Sequence, residues 1–327
     1  MTTPASELPA SRHFTVRRVG EGVWAAIATP GAGAFGNAGI VDLGGETLIF
    51  DTMYTPQAAR DLRIAAERLT GRRASYVVNS HYHVDHVLGN MVFDDATIIS
   101  TAGTLDLIPD GNEETLDYIR SADEPAFQER AEAAAAVRDP VLRQSMEEDL
   151  ATDRELAASA AEMWTRAPDR TFERSLTLHG ATRHVELITW GGGHTPSDAV
   201  LYLPEERLLF AGDLIFHRMH AFMQYGDPVE WLRILGEMEK LSIDTLVPGH
   251  GDVTDHGAIA AQRAYLETLL ALGREVYESG KSEDEAAKTP IPEPYRDWGF
   301  ASAFSPNMRA IYARLRDQAS ADEAGQP

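Results

Sequence analysis

One hexapeptide concentrates most of the chemistry this chain could do: His81-Tyr82-His83-Val84-Asp85-His86. Imidazole nitrogens and carboxylate oxygens are ligand atoms for divalent metals. The chain holds 11 histidines in 327 residues, so three in one hexapeptide beside an aspartate make a chance His-rich loop a poor explanation. In extended backbone alternate side chains share a face, so His81, His83 and Asp85 are predicted to project together, with His86 turning elsewhere as a helix begins. The chain contains no cysteine. Disulfides, thiolate-bound metal, iron–sulfur clusters and a cysteine nucleophile are thereby excluded, and any metal must rest on histidine and carboxylate.

Three further motifs follow in order: Gly193-His194-Thr195-Pro196, Ala211-Gly212-Asp213 and Pro248-Gly249-His250-Gly251. With them the sequence resembles the metallo-β-lactamase-fold hydrolases, whose signature is H-x-H-x-D-H after a strand. The resemblance runs roughly over residues 13–260, interrupted once. It implies an α/β fold, an αββα sandwich of two mixed β-sheets flanked by helices, with metals at one edge between the sheets. It also implies that His81, His83 and His194 hold one metal, that Asp85, His86 and His250 hold a second, and that Asp213 bridges them. Such a donor set suits two Zn²⁺ ions and would accept Fe or Mn.

The activity implied is a dinuclear metal-dependent hydrolase, in which a metal-bridging hydroxide cleaves an ester, lactone or thioester of a small molecule. Asp85 is the expected proton shuttle to the leaving group. Asp51, at the end of a strand, resembles the family's aspartate that orients a ligand or the ligand loop; a plain polar strand end accounts for it nearly as well. Within the family, the cyclase-like, quinoprotein-relay-like and glyoxalase-type zinc hydrolases match better than a dedicated β-lactamase. The cysteine-bearing β-lactamases need a thiolate, and the other kind lacks the bridging aspartate. The alternative is a single-iron sulfur (persulfide) dioxygenase on the same fold, using two histidines and one aspartate. A non-catalytic binding protein would predict lost ligands, and all seven positions are filled.

Positioning these residues requires strands that end just before them. Short apolar runs predict strands over 23–28, over 39–50 as a pair around Gly44-Gly45, and over 76–78, immediately ahead of the hexapeptide. Apolar residues at helical spacing with Pro56 and Gly71 at the ends predict a helix over 55–70. Strands return at 171–178, 183–190, 199–203, 208–210 and 245–247, with helices over 229–241 and 256–279. Between the halves, residues 104–170 carry 17 acidic against 7 basic side chains and read as an inserted pair of helical stretches broken at Asp139-Pro140. This insertion is expected to cap the cleft, with Tyr118, Phe127, Met146, Met163 or Trp164 as lining candidates, or else simply to pack on the sandwich. The expected organisation is a disordered N-terminus over 1–12, one domain over 13–280, and an extension over 281–327 with a helix near 308–319 and a disordered tail.

Two features are set aside. Gly31-Ala32-Gly33-Ala34-Phe35-Gly36 spells a dinucleotide-binding fingerprint, yet a strand follows where that motif needs a helix N-terminus; a glycine loop bordering the cleft is expected instead. His217 and His220 follow Asp213 closely enough to reach the cleft, but packed or surface histidines are commoner. His13, His179, His184 and His256 have no local ligand company.

Composition bounds the rest. With 43% hydrophobic residues the chain can bury a sizeable core, and its net charge of −22 would repel nucleic acid and anionic lipid. No stretch approaches the run of about 20 apolar residues that would span a bilayer, and residues 1–12 lack a signal-peptide core. A cytoplasmic protein acting on a small molecule is expected, with homo-oligomers compatible.

Overall fold

The computed structural model describes residues 8–324. Its strands are β1 (Phe14–Gly20), β2 (Val23–Ala28), β3 (Ala38–Asp42), β4 (Thr47–Phe50), β5 (Tyr76–Val78), β6 (Thr97–Thr101), β7 (Arg170–Phe172), β8 (Ser175–His179), β9 (His184–Gly191), β10 (Asp198–Leu203), β11 (Leu208–Phe210) and β12 (Thr245–Val247). Among the described residues they form two sheets, one in the order β1 to β7 and one in the order β12-β11-β10-β9-β8. Both are mixed. In the first sheet β1 to β4 pair antiparallel and β4 to β7 parallel; in the second, only the β11–β12 pair is parallel.

Period-two alternation explains the layers. In β4, Leu48 and Phe50 point into the core shared by the sheets, where they join Val78, Leu187, Leu201, Phe210 and Val247. Ile49 between them points outward, against Ala58, Leu62 and Ala66 of helix α1 (Pro56–Thr70). The outer face of the second sheet, with Val200, Leu209 and Leu246, is covered by α6 (Pro228–Met238), α7 (Gly257–Glu278) and α9 (Phe304–Ala324). Helix, sheet, sheet, helix is the expected αββα sandwich.

The helices start where capping chemistry places them. Thr55 accepts from the Ala58 amide ahead of Pro56, and Gly71 closes α1 with φ 75°, so the predicted 55–70 boundary was set by its two punctuating residues. Asp227 and Pro228 open α6 in the same manner. Residues 102–159 form three helices rather than two: α3 (Ala102–Ser121), α4 (Glu124–Ala136) and α5 (Pro140–Ser159). The unexpected break lies at Asp123, whose carboxylate caps α4 just before Pro125.

The predicted strand 171–178 is also two strands. It crosses between sheets at Glu173-Arg174, so β7 ends the first sheet and β8 the second. Strand β6 was not anticipated. Of the N-terminus expected to be disordered, residues 1–7 lie outside the described part, as do 325–327 of the tail. Within 8–12, Ser11 donates to Asp61 and Arg12 pairs with Glu155 at 2.7 Å. The extension after 280 holds the short α8 (Glu283–Ala286) and the long α9, and its Tyr295, Phe304, Met308 and Ile311 are buried in the outer core of the second sheet. No helix among the described residues is long and apolar enough to cross a membrane.

Candidate metal centre

Four of the seven candidate residues share one positional rule. His81, His194, Asp213 and His250 each lie three residues beyond the end of a strand, after β5, β9, β11 and β12 respectively. Strands β9, β11 and β12 run the same way, so their ends meet at one edge of the second sheet. The hexapeptide closes on them from the first sheet. It is extended only as far as His83, which is the N-cap of a one-turn helix, α2 (Val84–Val87), carrying Asp85 and His86. The expectation that Asp85 shares a face with His81 and His83 is therefore corrected. The helical turn rotates Asp85 to the side of His86.

The result is two adjoining groups: His81, His83, His194 and Asp213, and Asp85, His86 and His250. Within each, the potential ligand atoms lie within 4.8 Å of one another. Asp213 touches both groups. Its Oδ2 lies 3.3 Å from His194 Nε2 and 3.3 Å from His250 Nε2, and its Oδ1 lies 3.1 Å from His86 Nε2. Asp85 Oδ2 stands 3.1 Å from His86 Nε2 and 3.3 Å from His250 Nε2.

Partners outside the cluster fix the imidazole orientations. Ser80 Oγ donates to Asp51 Oδ2 at 2.8 Å and so has only lone pairs left for His81 Nδ1 at 2.9 Å. His81 must therefore donate from Nδ1 and turn Nε2 inward. His86 Nδ1 meets Asp51 Oδ2 at 2.9 Å, and His194 Nδ1 meets the Phe222 carbonyl at 2.9 Å, with the same consequence. Asp51 is thus an orienting residue for two histidines rather than a plain strand end. Its Oδ1 also takes the Ser80 amide at 2.7 Å.

Buried polar atoms normally have partners. Here His81 Nε2, His83 Nε2, His86 Nε2, Asp85 Oδ2 and Asp213 Oδ1 are buried with no aligned hydrogen bond. Burial drives His83 down to about 3, with His194 adding to the effect, and drives His81 well below the ordinary imidazole range. His250 moves the other way: burial opposes its charge, but Asp213 and Asp85 hold it up at about 9. Burial would likewise raise both carboxyls, yet the facing imidazoles hold Asp85 and Asp213 well below the carboxylate range. Lone pairs without donors and carboxylates demanding positive charge fit a site for cations.

Two glycines make the close approach possible. A Cβ on Gly249 would lie 1.9 Å from Asp213 Oδ1, and one on Gly36 would lie 2.8 Å from the His86 ring. Gly36 belongs to the loop that mimics a dinucleotide fingerprint; that loop does border the site, with Phe35 placed edge-on to His250 at 5.2 Å. Sequence reasoning passed over Asp198 and Asn37. The Asp198 carboxylate takes the amides of Gly193 and His194 and the Thr195 hydroxyl, which shapes the loop bearing His194. Asn37 donates to the Pro248 and Gly251 carbonyls, both at 2.9 Å, pinning the His250 loop from the opposite sheet.

A chamber of about 390 Å³ opens over the cluster. Tyr54, Tyr82, Tyr118 and Tyr225 contribute phenol rings to its wall, and Phe35, Phe216, Phe222 and Phe300 contribute phenyl rings. From the insertion, α3 supplies Glu114, Thr115 and Tyr118. Of the proposed lining residues only Tyr118 is in the wall. Phe127 is buried under Arg154, Met163 is buried with Leu116 and Leu156, Trp164 is half exposed, and Met146 sits half-buried on α5 away from the chamber. His220 is buried against the Tyr265 hydroxyl at 3.0 Å, and neither it nor His217 lines the chamber.

Comparison with known proteins agrees with this architecture. A sequence profile of the metallo-beta-lactamase superfamily matches residues 31–250. The beta-lactamase-like protein 2 homolog of Caenorhabditis elegans is 27% identical over 126 residues, which is 38% of this chain and 42% of that protein, so the chain spans under half the length of that curated relative. Among solved structures, a metallo-beta-lactamase from Pontibacter korlensis is 15% identical with a TM-score of 0.56, covering 78% of this chain and 99% of that one. The DIM-1 metallo-beta-lactamase exposed to ceftazidime is 17% identical with a TM-score of 0.55, over 80% and 99%. At that identity the likeness establishes the fold alone.

Proposed function

The chain belongs to the metallo-beta-lactamase superfamily, and from that premise we propose that it is a dinuclear metal-dependent hydrolase of a small-molecule ester, lactone or thioester. One observation carries this above the rest: two buried groups of ligand atoms adjoin, and the Asp213 carboxylate reaches both. His81, His83 and His194 would hold one ion, Asp85, His86 and His250 the other, with Asp213 between. The all-nitrogen-and-oxygen donor set favours zinc over softer-ligand metals. Bound there, the ions supply Lewis acidity and a means of ionising water near neutral pH.

The chain's own residues do the remaining work. Asp51 and Ser80 hold His81 and His86 in one tautomer, so no reorganisation is needed as charge develops. Asp85 both belongs to the second group and lines the chamber, which makes it the carboxylate best placed to pass a proton to a leaving group. The aromatic wall would give a bound substrate an apolar surface beside the cluster. A single-iron dioxygenase is not favoured, because one ion would leave Asp85, His86 and His250 as a buried group without purpose.

The test is metal analysis of zinc-loaded protein combined with a panel of esters, lactones and thioesters assayed with and without chelator. About two zinc ions per chain and chelator-sensitive turnover are expected, with Asp213→Ala losing both together. One tightly held ion, or an Asp213→Ala protein with full metal content and turnover, would overturn the dinuclear assignment.

A further inference from the structure

Resting on the hydrolase proposed above, we infer that the portion of substrate remote from the scissile bond is apolar and carries no negative charge, and that Glu114 on α3 selects against anions. Eight of the chamber's lining residues carry phenyl or phenol rings, and none is lysine or arginine. Residues 1–7 and 325–327 contain neither type of residue. Arg130, which reaches the Tyr118 hydroxyl at 3.1 Å, is already paired with Asp153 at 2.6 Å. Glu114 is exposed and has no ion-pair partner within 4.0 Å among the described residues, so its charge faces whatever enters.

The phenols add no positive charge and no negative charge. A neutral phenol instead offers an O–H group at the edge of an apolar surface. A substrate carboxylate, phosphate or sulfate held against that wall, away from the metal ligands, would shed water, find no lysine or arginine to pair with, and meet Glu114. An aromatic or alkyl group would lose nothing and gain ring contacts. The insertion therefore sets specificity through one exposed charge and one ring, Tyr118, rather than through the apolar residues that hold its helices together.

Matched para-substituted benzyl acetates, one bearing methyl and one bearing carboxylate, test this on the zinc-loaded protein, with the corresponding N-benzylacetamides as non-hydrolysed ligands followed by ligand-observed NMR. Expected is a kcat/KM at least about 10-fold higher for the methyl ester, the same order in amide binding, and a several-fold narrowing of the gap in Glu114→Lys. Equal or better turnover of the carboxylate ester, or a gap unchanged in Glu114→Lys, overturns the inference. If neither ester is cleaved but the uncharged amide binds preferentially, the hydrolase proposal fails while the ligand class stands. If neither amide binds, the ligand class fails as well.

Discussion

Asp51 illustrates what a single residue contributes here beyond its place in a motif. It sits at φ 60°, a left-handed conformation that aspartate and asparagine tolerate better than most residues, and from there both carboxylate oxygens face the hexapeptide. Asp51→Asn preserves shape and backbone preference but replaces one acceptor with an NH₂ group. That group accepts no hydrogen bond, so either the Ser80 amide or the pair Ser80 Oγ and His86 Nδ1 loses its acceptor. The expected outcome is a loss of about 10- to 100-fold in zinc affinity, read by competition against a chromogenic chelator; affinity within twofold of wild type would show that the pair is not oriented by Asp51. The seven cluster residues were legible in the sequence because each lies in a short contiguous motif. Asp198 and Asn37 were not, because they act on backbone groups of loops that only the fold brings near. For Asp198 a signal did exist: it stands two residues beyond the Gly193–Pro196 motif and closes the same turn.

Elements were legible where their ends are punctuated and illegible where tertiary context decides. α1 and α6 carry Thr or Asp caps followed by proline and were placed to within a few residues. The division of 171–178 into β7 and β8 was invisible, because a run of β-formers says nothing about which sheet each half joins. Nor does helical periodicity tell which face of the insertion meets the chamber. One contact between elements has a pH signature. Asp149 of α5 accepts from Ser302 Oγ at 2.7 Å, tying the insertion to the 3-10 turn Ala301–Ala303 beside Phe300. Burial pushes Asp149 up to about 6, the Ser302 bond opposes this, and Asp153 adds to it. Because the folded carboxyl binds its proton more tightly than the unfolded one, its favourable contribution is complete below about pH 4 and is lost as pH rises through about 6. Asp149→Asn keeps an acceptor for Ser302 without the charge. It should raise urea stability at pH 7.5 by about 1–2 kcal/mol and by only about a third of that at pH 4.5. A gain of equal size at both pH values would place the effect elsewhere.

Across the whole molecule, the cluster joins two halves that also share an apolar core and polar contacts such as Thr101 with Ser197 and Arg17 with Asp252. His81, His83, Asp85 and His86 come from the end of a first-sheet strand; His194, Asp213 and His250 come from three strands of the second sheet. Without cations this junction leaves the Nε2 atoms of His81, His83 and His86 and the Asp213 Oδ1 atom buried without an aligned partner. Ions that bind the folded chain but not the unfolded one stabilise it by mass action, and because their ligands are drawn from both sheets, neither half can unfold while keeping its ions. At free zinc about 1,000 times each dissociation constant the gain is about 4 kcal/mol per ion, about 8 for two, which for a chain of this size corresponds to roughly 10 °C in melting temperature. Scanning calorimetry of wild-type protein should therefore show one transition, higher with zinc than with chelator by that order. In Asp213→Ala the difference should shrink to a few degrees, since the residue lost is the one shared by both groups. Two separated transitions in the chelated protein would mean that the sheets fold independently and that the ions, rather than the apolar core between the sheets, make unfolding cooperative. A wild-type transition indifferent to zinc would remove the cross-link altogether.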